Sequence, residues 1–225
     1  MGMDKEALKA FFRYAVRYSD SYHAESVEQA RALKVPETFI EMPCAVFLQK
    51  YCWAIYTSAF RASIVAEKRP ALARAWFDYD LGSIVTSDSI EPALSVINNK
   101  RKAAAFLKGC HQIHDEGYED FKARALHTGW PIYTELPYIG DILAQYIATI
   151  TGLQDLAKPD VWVVRIKDGF NADSVDELID FLQDEFGYSR RVTDLYLWRL
   201  CSDAGLETVN RLIRHFRLQA KSNLI

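Results

Sequence analysis

Long apolar runs are missing from this 225-residue chain. A bilayer span needs roughly 20 consecutive apolar residues, and the greasiest stretch, Tyr51 to Phe60, is closed off by Lys50 and Arg61. No membrane is therefore expected among its partners. Asp4, Lys5 and Glu6 stand where a signal peptide needs an apolar core, which predicts an intracellular protein of the cytoplasm, nucleoid or nucleus. Cysteine is sparse: Cys44, Cys52, Cys110 and Cys201 lie far apart, with no CxxC pair and no spacing that holds an iron–sulfur cluster. Isolated cysteines of this kind behave as small buried hydrophobes. No Gly-rich phosphate loop, GxSxG or HExxH occurs, so nothing points to the chemistry those motifs serve. His111 and His114 share one helical face, but no third ligand is evident, and no metal site is predicted.

Excess positive charge is lacking too. The formal net charge is −3 and the sequence pI is near 6.0, which argues against broad electrostatic coating of nucleic acid. Charge is segregated instead. Residues 186–225 carry seven Lys/Arg against three Asp/Glu, whereas 171–185 carry six acids and no base. Any nucleic-acid contact then needs local basic patches, and either run also fits a solvated helix face.

What the chain has is helical periodicity. Apolar residues at 50% and charged residues at 25% suit a globular chain with a substantial core. Leu8, Phe11, Phe12 and Ala15 fall at helical spacing. Ser26 and Gln29 form a capping-box pattern for a second helix. Pro43 opens what reads as the longest helix. Phe47, Tyr51 and Ile55 lie on one side of it and Trp53, Tyr56, Phe60 and Ile64 on the other, which predicts a central, buried position. Arg69-Pro70 is expected to begin a helix over Ala71 to Phe77. Further helices are read over Ser89 to Ile97, Lys102 to Ile113 and Tyr118 to Leu126, and Thr128-Gly129-Trp130-Pro131 starts another. Ser174 and Glu177 make a second capping box, Gly187 closes that helix, and Arg190 to Cys201 and Leu206 to Leu218 finish the chain. The last few residues are expected to fray. With no period-2 stretch, repeat or low-complexity linker, the prediction is all-α, with about a dozen helices.

Two stretches carry candidate chemistry. In Leu136-Pro137-Tyr138-Ile139-Gly140-Asp141, Pro137 cannot continue a helix and pushes Leu136 out of the αR region. Gly140 admits a positive φ, and Asp141 suits a helix N-terminus. Ile142, Leu143, Tyr146, Ile147 and Ile150 then make one apolar stripe, which Gly152 ends. The pattern predicts helix, tight turn, helix, with free backbone N–H groups suited to a phosphate. In Lys158-Pro159-Asp160, Pro159 is expected at the first position of a helix, with Asp160 to Ile166 as buried wall. Asp160 has two readings, a helix N-cap or a carboxylate presented to a ligand.

The order LPYIG, amphipathic helix, KPD, with Arg165 following, resembles the helix-hairpin-helix (HhH-GPD) DNA glycosylases at Gly140, Pro159 and Asp160. A fainter likeness to the 3-methyladenine DNA glycosylase branch runs through Glu67-Lys68-Arg69, Phe77-Asp78-Tyr79-Asp80, Ile84 and Ile97-Asn98-Asn99-Lys100-Arg101-Lys102. The resemblance implies a two-lobed helical fold: a barrel over 45–156 that ends in the hairpin, and a second lobe of 1–44 plus 157–225, with the substrate base in the cleft between. It implies a monomer that excises a damaged base, an alkylated purine among the candidates, from double-stranded DNA. Asp160 would be the catalytic carboxylate. Leu136, Tyr138, Ile139, Gly140 and Lys158 would contact DNA, and Trp53, Tyr56 and Tyr146 would wall the base pocket. Bifunctional relatives carry a lysine two residues after the hairpin's last glycine. Ile142 stands there, which implies a monofunctional enzyme that leaves an abasic site. No cofactor is implied beyond a K⁺ or Na⁺ ion on the hairpin carbonyls. The sequence departs from the family pattern in three places. Tyr138 replaces the hairpin's first glycine, Asp141 sets a negative charge beside the phosphate site, and Ala54 occupies the place of a pocket glutamate, with no zinc ligand set. The same residues also fit a non-catalytic helix-hairpin-helix protein that only binds DNA.

Overall fold

The structure, a computed structural model, describes residues 2–222; the final residues, expected to fray, lie outside the described ones. Along the chain run α1 (Lys5–Tyr22), α2 (Ala24–Ala32), α3 (Glu37–Ile40), α4 (Cys44–Thr57), α5 (Ala62–Ala75), a 3-10 turn at Phe77–Tyr79, α6 (Leu81–Ser87), α7 (Glu91–Val96), α8 (Lys100–Glu116) and α9 (Tyr118–Thr128). A 3-10 segment at Trp130–Glu135, α10 (Asp141–Thr151), α11 (Val161–Gly169), α12 (Val175–Phe186) and α13 (Arg190–Ser222) complete it. No strand occurs among the described residues, so the fold is all-α. No helix among them is long and apolar enough to cross a membrane. The chain divides into two compact units, Lys34–Gln154 and Met1–Leu33 with Asp155–Ile225.

The Lys34–Gln154 unit is built around α4. Its residues are apolar on nearly every side because α5, α6, α8, α10 and the Phe77–Tyr79 turn all rest on it. Phe47, Tyr51, Cys52, Ile55 and Tyr56 are fully buried. Aromatic rings carry the core outward: Phe47 meets Phe121 at 5.5 Å, and Phe106 lies 5.5 Å from Tyr51 and 4.8 Å from Trp76. Cys110 is buried in the same unit. Two lysines serve as helix caps. Lys102 Nζ donates to the carbonyls of Tyr56 (2.8 Å) and Ser58 (2.5 Å) at the end of α4, and Lys50 Nζ donates to Ile150 O at the end of α10 (2.8 Å). Terminal helix carbonyls lack internal partners and carry partial negative charge, so an ammonium is a suitable donor. Burial lowers the pKa of both lysines, and Arg69 lowers that of Lys50 further.

In the other unit, α1 lies along α13, and α11, α12 and α2 close the core. Phe11 and Phe12 of α1 meet Phe170 (5.3 Å) and Phe186 (4.9 Å). The basic and acidic runs of the sequence meet here: Arg190 pairs with Asp176 and Asp180 of α12.

Several local expectations need correcting. The helix read from Pro70 starts earlier, at Ala62, and runs through Pro70. Both Pro70 and Ala66, whose carbonyl it leaves unbonded, are exposed residues, so the lost bond falls on the solvent side of the helix, where proline is tolerated. The Ser26 capping box does not form. α2 begins at Ala24, the Ser26 hydroxyl donates to His23 O, and Gln29 bonds Glu25 instead. α4, with 14 residues, is not the longest helix. By contrast, the two final helices are separate as expected, with the break at the non-helical Gly205 (φ 73°) inside Arg190–Ser222. The Ser174 N-cap and the left-handed C-caps at Gly152 and Gly187 lie where the sequence put them.

Packing between α4 and α8 gives a direct test. A Cβ at Gly109 would lie 2.3 Å from Tyr51 Oη and 2.8 Å from its Cε1. Gly109→Ala raises helix propensity by about 1 kcal/mol, but the ring it strikes is fully buried, and overpacking of this kind costs about 1–3 kcal/mol. The variant is expected to melt a few degrees below the wild type in thermal denaturation.

Candidate functional site

The turn before α10 is held from inside by its apolar residues. Leu136 and Ile139 are buried, so their side chains anchor the bend. Ile139 N–H donates to Leu136 O at 3.3 Å and closes a four-residue turn. The third residue of that turn takes the positive φ. It is Tyr138 (φ 74°), not Gly140, which is extended (φ −99°, ψ 175°). A non-glycine residue in that region costs on the order of 1–2 kcal/mol. Burying Leu136 and Ile139 on either side outweighs it, at about 1.5–3 kcal/mol each. The Tyr138 ring also has the Arg101 guanidinium 5.0 Å from its centroid, a contact worth about 0.5–1 kcal/mol at an exposed site. Arg101 therefore places a positive charge at the bend where Asp141 places a negative one.

Gly140 is the N-cap of α10, and no side chain caps the first turn of that helix. A Cβ at Gly140 would meet nothing within 4 Å, and its φ is open to any residue. Nothing inside the chain thus requires glycine at this position.

The three aromatic candidates part company. Trp53 and Tyr146 come together, with Trp53 Nε1–H donating to Tyr146 Oη at 3.0 Å and Arg69 lying 6.0 Å from the Trp53 ring. Tyr56 is a core residue, 1% exposed.

The carboxylate lies in the other unit. Asp160 is the N-cap of α11, and Pro159 stays outside the helix instead of opening it. Oδ1 accepts from Trp162 N–H (2.9 Å) and Val163 N–H (3.2 Å). Oδ2 faces Lys158 Nζ at 3.0 Å, with side-chain exposures of 18% for Lys158 and 13% for Asp160. The backbone repeats the proximity, since Asp160 N–H donates to Lys158 O at 2.8 Å across Pro159. Lys158, expected at a DNA phosphate, is paired with Asp160 and lies 6.0 Å from the Trp198 ring. The expected buried wall holds on one face only: Val163 and Ile166 are buried, whereas Val161 is 60% exposed and Arg165 lies over the Trp162 ring at 5.4 Å.

Two residues that the sequence did not single out hold this loop. The Asp155 carboxylate accepts from the N–H groups of Arg190 and Arg191 (3.1 Å each) and from Arg191 Nη1 (3.0 Å). In return, Asp194 Oδ2 of α13 accepts from Lys158 N–H at 3.1 Å. Burial, and then the Asp160 charge, push the Asp194 carboxyl up to about 7, against the downward pull of Lys158. Cys201, close by, is pushed up to about 12 by burial first and the Asp160 charge second, so its thiol is inert. These contacts join residues 35 or more positions apart, which no local pattern reveals. Among the described residues no three His, Cys, Asp or Glu side chains gather as a metal site; His111 bonds Asp88 at 2.8 Å.

The N-cap geometry predicts how two substitutions will differ. Asp160→Asn keeps an acceptor for both amides and should leave the thermal midpoint near that of the wild type. Asp160→Ala removes the cap and should cost about 1 kcal/mol, read by chemical denaturation. The chain matches no protein-family model, no curated protein and no solved structure in the three comparisons made.

Proposed function

We propose that the chain is a monofunctional DNA glycosylase that hydrolyses the N-glycosidic bond of a damaged base in double-stranded DNA. The observation that carries this is the division of labour within Asp160. One oxygen is fixed by two helix amides, and the other faces a cation. Cleavage of the glycosidic bond leaves positive charge on the sugar. A carboxylate held rigidly at that point stabilises the charge and orients or deprotonates the attacking water. The place now taken by the Lys158 ammonium is one that a cationic sugar would suit.

The bend at 136–141 supplies the second element. Its exposed glycine, the first-turn amides of α10 and Arg101 suit a phosphate diester, while Asp141 opposes one. A K⁺ or Na⁺ ion takes oxygen donors, and the bend offers carbonyls beside the exposed Asp141; bound there, the ion would supply positive charge. Trp53 and Tyr146 offer ring faces for a base that has left the stack. Lys158 is held as the partner of Asp160, not left as a nucleophile, and Ile142 stands in the lyase position. The product is thus an abasic site and an intact strand. The lesion class, with an alkylated purine as first candidate, and the monomeric state belong to the same proposal.

A second reading, a non-catalytic DNA-binding protein, is favoured by the fact that both oxygens of Asp160 already have partners within the fold. A panel of duplexes, each with one lesion, separates the two. The wild type should produce alkali-labile sites on at least one lesion and no strand breaks without alkali. Asp160→Asn, folded as above, should lower the single-turnover rate by about 10²-fold or more. Binding without excision on every duplex would leave the second reading. Gly140→Ala tests the bend by itself. Stability should stay within about 0.5 kcal/mol, while affinity for duplex at low salt falls by about tenfold, the loss of roughly one charge-assisted hydrogen bond.

A further inference from the structure

Asp194 is 8% exposed, and its Oδ1 is buried without a hydrogen-bond partner. Its Oδ2 holds the amide of Lys158, whose ammonium reaches Asp160 Oδ2. One residue, Lys158, therefore links two carboxylates, by its backbone to one and by its side chain to the other. An asparagine would accept the same amide bond without a buried charge, and burying a carboxyl with one oxygen unmet is unfavourable. What an aspartate adds here over an asparagine is its ability to ionise.

We infer that Asp194 is a positioning residue for Asp160, acting through Lys158. It fixes the loop that brings the ammonium to Asp160 and, once ionised, competes for that ammonium and frees the outer oxygen of Asp160. The catalytic consequence rests on the glycosylase proposal; the coupling of the three groups does not. The charged groups that act on Asp194 are Lys158 and Asp160. On its own helix, Arg191 turns to Asp155 and Arg190 to Asp176 and Asp180. Burial raises the Asp194 carboxyl to about 7, which places its ionisation in the neutral range. Below that point Asp194 carries no charge to compete, and the ammonium stays with Asp160. Above it, two carboxylates share one cation, and more negative charge is left for the sugar. Excision should therefore rise with pH through the ionisation of Asp194.

Carboxyl ¹³C NMR titration of the full chain tests the coupling without DNA. In the wild type Asp194 should titrate near neutrality. Asp160→Asn removes a negative neighbour and should move that inflection down, and Lys158→Met removes a positive one and should move it up, each by about half a unit or more. Single-turnover excision over the same pH range adds the kinetic arm. The wild-type rate should climb through the inflection, and Asp194→Asn, which keeps the acceptor for the Lys158 amide, should lose that step. An Asp194 inflection unmoved by both substitutions overturns the inference. So does an Asp194→Asn enzyme with the wild-type pH profile. Shifted inflections with no lesion excised would uphold the coupling and overturn the glycosylase proposal alone.

Discussion

Helix starts leave backbone N–H groups without partners, and two carboxylates of the segment 155–160 take them up. Asp160 accepts from the first turn of α11, and Asp155 accepts from the first turn of α13. Asp194 closes the arrangement by accepting the Lys158 amide in the opposite direction. The loop is thus tied at its beginning, middle and end by carboxyl groups, and the bonds to Asp155 and Asp160 at its two ends are charge-assisted. The helix amides fix the orientation of the Asp160 carboxylate before any ligand arrives. They take one oxygen of Asp160, and the Lys158 ammonium takes the other.

The same economy governs the basic residues. A chain with 27 Lys and Arg against 30 Asp and Glu has no surplus of cations to offer a polyanion, and several are committed internally. Lys102 and Lys50 close the ends of α4 and α10, Arg190 neutralises Asp176 and Asp180, and Arg191 holds Asp155 together with the carbonyls of Ala30 and Leu33. Two of the seven cations of the basic run at 186–225, Arg190 and Arg191, are thus engaged within the fold. Arg101 instead lies over the Tyr138 ring at the bend.

Much of the architecture was legible because it follows from short-range rules. Apolar spacing located the helices, and the apolar girth of α4 gave its central position. Gly152, Ser174, Gly187 and the capping role of Asp160 were readable from residue type and neighbour alone. Errors arose where a local rule met a local exception: Pro70 is tolerated where its helix faces water, and the positive φ fell on Tyr138 because the hydrogen bond from Ile139 to Leu136 sets the turn phase. The segment before the bend is 3-10, which the same apolar spacing does not distinguish from α. The site was legible only in part. Asp160 and the bend stood out by residue order, whereas the Lys158 pairing, Asp155 and Asp194 depend on where α13 returns in space, which residue order does not record.

The buried cysteines have a use that follows from their distribution. Cys52 and Cys110 are sealed inside the Lys34–Gln154 unit, and Cys201 is sealed inside the other. Burial raises all three thiols far above the range in which a thiolate forms, so alkylating reagents react only when the surrounding core opens. Labelling rates at the separate positions, resolved by peptide mass, therefore give each unit its own clock. They reveal whether the two halves of this chain breathe together or open one at a time.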